Sequence, residues 1–114
     1  MHELGITQNI VAIATEHAHG AKVRRLSLEI GQLTAIMPEA IQFCFDVCAQ
    51  GTPLEGAQLE IIQRPGRGQC RECGHQIALE QPFGVCDDCG STHLDIIQGE
   101  ELTIKELETE TLCA

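Results

Sequence analysis

The sequence predicts an α+β fold: two helices on one face of a small three-stranded sheet, with a cysteine-bearing domain inserted ahead of the last strand. Three observations lead there. Two stretches repeat their apolar residues at helical spacing, and three others alternate apolar with polar residues. Between the second and third of those alternating stretches, four cysteines stand in two close pairs, bounded by Pro- and Gly-rich segments.

Residues 3–19 form the first predicted helix. Ile6, Ile10, Ile13 and His17 fall at i, i+4, i+7 and i+11, and Val11 and Ala14 widen the stripe. Gly20 suits the position just past a helix end. His17 and His19 sit in the last turn, where partial positive charge complements the helix dipole. Residues 22–31 alternate, with Leu26, Leu28 and Ile30 on one face and Arg25, Ser27 and Glu29 on the other. Gly31 and the segment from Thr34 to Pro38 end that strand, and Pro38 is tolerated in the first turn of a second helix. There Ile41, Cys44, Phe45 and Cys48 repeat at i, i+3, i+4 and i+7 as a core stripe. With Phe43 and Val47 nearby, Cys44 and Cys48 read as small buried hydrophobes in preference to metal ligands. Gly51 ends the helix and Pro53 prevents its return.

Residues 57–62 set Ala57, Leu59 and Ile61 against Gln58 and Glu60. The run Arg64-Pro65-Gly66-Arg67-Gly68 then reads as a boundary, and Gln98-Gly99-Glu100 as a second hinge. Leu94–Ile97 suits a short strand between them. Residues 101–108 alternate once more, with Leu102 and Ile104 facing away from Thr103 and Lys105. This strand should return to the first sheet, because alone it has nothing to bury against. The expected domains are therefore residues 1–65 plus 99–114, and residues 66–98. Chain exchange through the two hinges would let the last strand pair with a second copy's sheet, giving a dimer. The tail from Thr109 to Ala114 carries Cys113 as a free thiol.

The inserted domain is built on Cys70-x2-Cys73, twelve residues, and Cys86-x2-Cys89. A two-residue spacer lets both sulfurs of a knuckle reach one ion, and four thiolates are the ligand set of a tetrahedral zinc. Gly74 and Gly90 follow the knuckles where a tight turn needs positive φ. The alternatives are two disulfides or two redox CxxC sites. Disulfides require an oxidising compartment, and Met1-His2-Glu3 does not open a targeting sequence. A thioredoxin-like site needs a βαβ context around one CxxC, which this turn-rich segment does not offer. Four protein ligands leave no position for water, so this zinc-ribbon-like domain holds a structural Zn(II) and not a catalytic one.

Composition narrows the partners. The formal net charge is −10, from seven basic and seventeen acidic residues. With a tetrathiolate zinc worth about −2, the cysteine domain carries about −5. Nucleic-acid binding depends on Lys and Arg neutralising phosphates, so nucleic acid is not an expected partner. No apolar run approaches a membrane span, and seven cysteines, an odd count, suit a reducing cytoplasm.

The second candidate site is the chain start. The α-amine of Met1, the amide nitrogen of His2 and the His2 imidazole can close fused chelate rings around one ion. Glu3 offers either its amide nitrogen as a fourth in-plane donor or its carboxylate as a cap. Nitrogen donors in a plane suit Ni(II) or Cu(II), with affinity rising with pH as amide protons leave. The bland alternative is a mobile chain end.

Met1-His2-Glu3-Leu4, the Leu28-Glu29-Ile30-Gly31 strand, the Phe43-Cys44-Phe45 helix segment and the Cys70/Cys73/Cys86/Cys89 set come in an order that resembles the HypA/HybF family of nickel-insertion accessory proteins. The resemblance covers nearly the whole chain. It implies a nickel metallochaperone and not an enzyme: Ni(II) carried at Met1, His2 and Glu3 with His2 indispensable, and structural zinc at the four cysteines. It also implies an accessory GTPase as partner and delivery to the hydrogenase large subunit during [NiFe]-hydrogenase maturation, with urease served by some members. His75 lies two residues after Cys73, as the family leads one to expect. His93 lies four after Cys89, so both histidines stay outside the ligand set.

Two other functions fit parts of the sequence. A zinc-ribbon adaptor would need the four cysteines but not Met1-His2-Glu3. An enzyme would need a nucleophile–base or paired-carboxylate arrangement, or a phosphate-binding glycine loop, and none is legible.

Overall fold

The computed structural model describes residues 2–110. Helix α1 (Glu3–Ala18) leads to strand β1 (Val23–Gly31), helix α2 (Pro38–Ala49) and strand β2 (Gln58–Arg64). Then come β3 (Gly66–Cys70), β4 (Gln76–Leu79), β5 (Leu94–Gln98) and β6 (Leu102–Thr109). The predicted α+β class holds: two helices, a three-stranded sheet in the order β2-β1-β6, and a second small sheet in the order β4-β3-β5. The last strand does return beside β1, and Glu110 N–H donates to Lys22 O at 2.8 Å where it ends. Contacts divide the chain into two compact units. One comprises Met1–Glu29, Ile36–Ile62 and Thr103–Ala114, the other Ile30–Ala35 and Gln63–Leu102.

The first unit is organised on β1. Leu26 and Leu28 are buried, as the alternation requires, and Val23, Ile41, Phe45, Leu54 and Leu59 are buried with them. Helix α1 packs on α2. Its buried row is Glu3, Thr7, Ile10, Val11, Ala14 and Ala18, so the expected stripe through Ile13 and His17 is rotated: both are exposed. Ala14 and Ala18 are buried in that row, and Thr7 is made compatible with burial by donating its hydroxyl to Glu3 O at 2.6 Å. Apolar periodicity alone does not see a face lined by Ala, Thr and Glu. His19 takes a left-handed conformation at the helix end, followed by Gly20. On the opposite side of β1, Arg25 meets three carboxylates, Glu60 at 2.8 Å, Glu106 at 3.0 Å and Glu108 at 3.1 Å.

In the second unit, Gly66–Gly68, part of the run that reads as a boundary, opens a strand: β3 pairs antiparallel with β4 (Gly66 opposite Leu79, Gln69 opposite Gln76) and with β5 (Cys70 opposite Leu94). Its glycines are there for packing. A Cβ on Gly66 would strike the Leu79 carbonyl and lie 2.7 Å from the Leu33 side chain. Gly99, expected as a hinge, is buried at φ 115°, and a Cβ there would sit 2.7 Å from Gly66 Cα. Three backbone hydrogen bonds of 2.8 Å pin this crossing: Gly31 N–H to Glu101 O, Gln32 N–H to Arg64 O and Leu33 N–H to Gly99 O. Beyond it, the apolar interior of this unit is slight, with Ile30, Leu79, Cys70 and Cys86 its buried apolar residues among those described. So small an interior needs a staple.

Candidate metal centres

The staple is legible in the geometry. Cys70 ends β3 and Cys73 precedes β4, so the first knuckle is the tip of the β3–β4 hairpin, while the second lies between β4 and β5. Each knuckle closes by the same turn: Gly74 N–H donates to Cys70 O and Gly90 N–H to Cys86 O, both at 2.9 Å. Gly74 and Gly90 hold φ of 77° and 79°, the positive values that their placement predicted. The knuckles are also buttressed from outside, Cys70 N–H reaching His75 O at 2.9 Å and Cys86 N–H reaching Ser91 O at 2.8 Å.

The four Sγ atoms all lie within 4.8 Å of one another. Cys70 and Cys89 are 3.5 Å apart, and Cys73 and Cys86 3.6 Å. Sulfurs placed tetrahedrally about 2.3 Å from a zinc ion are about 3.8 Å apart, whereas disulfide sulfurs are about 2.05 Å apart. The cluster therefore fits a tetrahedral ion. The amide of Cys73 and then that of Glu72 point at the Cys70 sulfur and pull its thiol down to about 6 despite burial, an environment that favours thiolate. Cys70 and Cys86 are buried while Cys73 and Cys89 are exposed, so one side of the cluster faces solvent.

Three polar side-chain pairs brace this site, and local sequence pattern shows none of them. His75 Nε2 lies 3.1 Å from Asp87 Oδ1, tying one knuckle to the other. His93 Nδ1 lies 3.0 Å from Glu72 Oε1, and Arg71 reaches Asp95 at 2.7 Å. Their partners lie between 12 and 24 residues away in sequence, too far for a local pattern to pair them.

The chain start is built differently. Met1 lies outside the described residues, as does Cys113. His2 is the residue that caps α1, its carbonyl accepting the Ile6 N–H at 3.0 Å while its exposed side chain makes no capping hydrogen bond. Glu3 is buried, and its Oε2 accepts the backbone N–H of Met37, the residue that caps α2, at 3.2 Å. The Glu3 carboxylate thus satisfies a donor at the start of α2 and complements that helix's dipole. Sequence reading treated Glu3 only as a metal donor. Of the expected nickel set, the described structure presents the His2 ring outward and turns the Glu3 carboxylate inward. Among the described residues the four cysteines are the one cluster of three or more His, Cys, Asp or Glu side chains placed to share an ion. Cys44 and Cys48, expected in the core, are half-buried on α2.

The family model described as "Hydrogenase/urease nickel incorporation, metallochaperone, hypA" matches residues 1–109. The chain belongs to the HypA family. Curated relatives named hydrogenase maturation factor HypA include those of Trichormus variabilis, 70% identical with 99% of each chain covered, and Geobacter metallireducens, 46% identical over 96% of this chain and all of that one. The fold is likewise similar to the solution structure of the Ni metallochaperone HypA from Helicobacter pylori, 27% identical, with a TM-score of 0.69 over 96% of this chain and 97% of that one. A HypA chain with a four-cysteine metal cluster is accordingly a metallochaperone and maturation factor by family. No helix among the described residues is long and apolar enough to cross a membrane.

Proposed function

We propose that this chain carries Ni(II) on its first residues and releases it during maturation of [NiFe]-hydrogenase in the cytoplasm, with Zn(II) confined to Cys70, Cys73, Cys86 and Cys89. The observation that carries this reading is the contrast between the two places. The cysteine set is closed: four thiolates complete a tetrahedron and hold a lobe that has little interior of its own. Such a site retains its ion. The His2 side chain stands exposed at the start of α1 and has no structural task as a cap. Few ligands at a chain end bind weakly enough to let go, which a carrier requires.

In this reading the Met1 amine, the His2 amide and imidazole nitrogens and the Glu3 amide nitrogen make up the planar set. The Glu3 carboxylate stays on the Met37 amide and holds the chain start against α2. Residues 1–65 plus 99–114 form the nickel-binding domain and residues 66–98 the structural zinc domain. An accessory GTPase and the hydrogenase large subunit are the protein partners, on the strength of the family. The zinc ion neutralises thiolates and fixes the two knuckles. It takes no part in delivery.

The deciding experiment is nickel competition against a chromophoric chelator, using protein with a native amino terminus, the His2→Ala variant and protein extended by a short leader peptide. Both alterations should abolish nickel binding at the chain start while the zinc content stays at one per chain. Equal nickel affinity in all three would sink the proposal.

A further inference from the structure

Helix α2 is apolar on two sides. At about 100° of turn per residue, Ile41, Phe45 and Ala49 share the buried face. Phe43 and Val47 lie on the face away from them, 79% and 59% exposed, with half-buried Ala40 one turn before Phe43. Met37, just before the helix, is also 59% exposed. The chain has only three aromatic residues and spends one of them here on the surface. Amphipathic packing gives no reason for that, since a helix covering a core from one side should be polar on the other. Exposed apolar rows of this kind mark interaction surfaces.

The charge around the row selects its partner. Glu39 and Asp46, both exposed, lie along one shoulder of it. All seven basic residues of the chain lie outside α1 and α2, whose charged residues at neutral pH are Glu3, Glu16, Glu39 and Asp46. An apolar row edged by carboxylates, on a helix without Lys or Arg, complements an amphipathic helix whose apolar face is edged by Lys or Arg. A second copy of this chain, itself at −10, meets like charge on the same patch, and an anionic lipid surface is repelled.

We propose that the outer face of α2, at Ala40, Phe43 and Val47 with Glu39 and Asp46 at its edge, is the docking surface for a basic amphipathic helix of a partner protein. This goes beyond nickel carriage and does not depend on it. Residues of each helix at i, i+3, i+4 and i+7 interdigitate, and Phe43 fills the gap between two partner side chains. The basic edge of the partner speeds encounter and sets orientation.

The probe is an 18-residue peptide of leucine and lysine patterned so that the leucines form one helical face. Its controls are a peptide of the same composition in scrambled order and one with glutamate in place of lysine. Binding to the zinc-loaded protein is read by fluorescence anisotropy at physiological ionic strength. The patterned peptide should bind at least ten-fold tighter than either control, and the Phe43→Ala/Val47→Ala variant should lose ten-fold or more. Both residues are exposed, so the variant's circular dichroism should match the parent's. Absence of binding, equal binding by the scrambled peptide, or an unchanged affinity in the variant would overturn the proposal. So would sedimentation showing a dimer of the chain that Phe43→Ala dissolves, which assigns the face to a second copy. Attachment to phosphatidylglycerol vesicles, lost in the same variant, would overturn it in favour of lipid.

Discussion

Replacing Gly99 by alanine should be among the most damaging single-methyl changes in this protein. Gly99 holds φ of 115°, in a region that residues with a Cβ avoid, and imposing it on alanine costs about 1–3 kcal/mol. The added methyl would also lie 2.7 Å from Gly66 Cα and 2.9 Å from Cγ and Cδ1 of Leu33. The Leu33 side chain can turn aside, but Gly66 Cα is backbone inside β3, pinned by pairing to β4. Relief therefore displaces the Gly99 carbonyl from the Leu33 N–H, now 2.8 Å away. Overpacking of this kind costs about 1–3 kcal/mol more. Together the loss is about 2–6 kcal/mol, a large share of the stability of an ordinary domain. The control is Gly5→Ala in the first turns of α1, where a Cβ meets nothing within 4 Å. That change should raise stability, by up to about 1 kcal/mol. Urea unfolding of the zinc-loaded variants, followed by circular dichroism, separates the two. At an m-value of about 1.5 kcal/mol/M, the Gly99→Ala midpoint should fall by about 1–4 M while the Gly5→Ala midpoint rises. A Gly99→Ala midpoint equal to that of the parent would show that the crossing is looser than its hydrogen bonds imply.

Zinc removal should cost the second unit its fold while the first keeps its own, so hydrogen exchange after chelation should accelerate in β3, β4 and β5 before β1. Because each ligand thiol must shed its proton to bind, zinc affinity should fall with acidification, most steeply near and below pH 6, where the Cys70 thiol is held; a pH-independent affinity would contradict the thiolate assignment. Burial, and then the neighbouring Cys44, pushes the Cys48 thiol above its ordinary value, which disfavours it as a thiolate ligand, and Cys44→Ser/Cys48→Ser should still hold one zinc per chain by metal analysis. Within α1, Ile10→Ala should lose about 2–5 kcal/mol by thermal unfolding and Ile13→Ala less than about 1 kcal/mol, because Ile10 is buried and Ile13 is 46% exposed. Arg25→Met should lower the melting temperature at low salt and less at high salt, since Glu60, Glu106 and Glu108 would then face one another without their common cation.

Sequence by itself determined what local spacing can encode. The alternation of Leu26, Leu28 and Ile30 placed β1, and Pro38 with Gly51 bracketed α2, because backbone geometry ties those patterns to period and to chain breaks. The cysteine pairs announced a tetrahedral site for a similar reason: two ligands three residues apart must share one turn. Tertiary structure alone decided the rest. It placed the Glu3 carboxylate on the Met37 amide, 34 residues on. It made a strand of Gly66–Cys70, which opens in a Pro/Gly-rich run that read as a boundary, because Leu79 and Leu33 leave no room for a Cβ at Gly66. It kept Ile10, Val11 and Ala14 of the expected α1 stripe but exposed Ile13 and His17 and buried Glu3, Thr7 and Ala18 instead. And it left Phe43 on the surface. Whether an apolar side chain faces core or solvent depends on what lies across from it, and that neighbour is set by contacts distant in sequence.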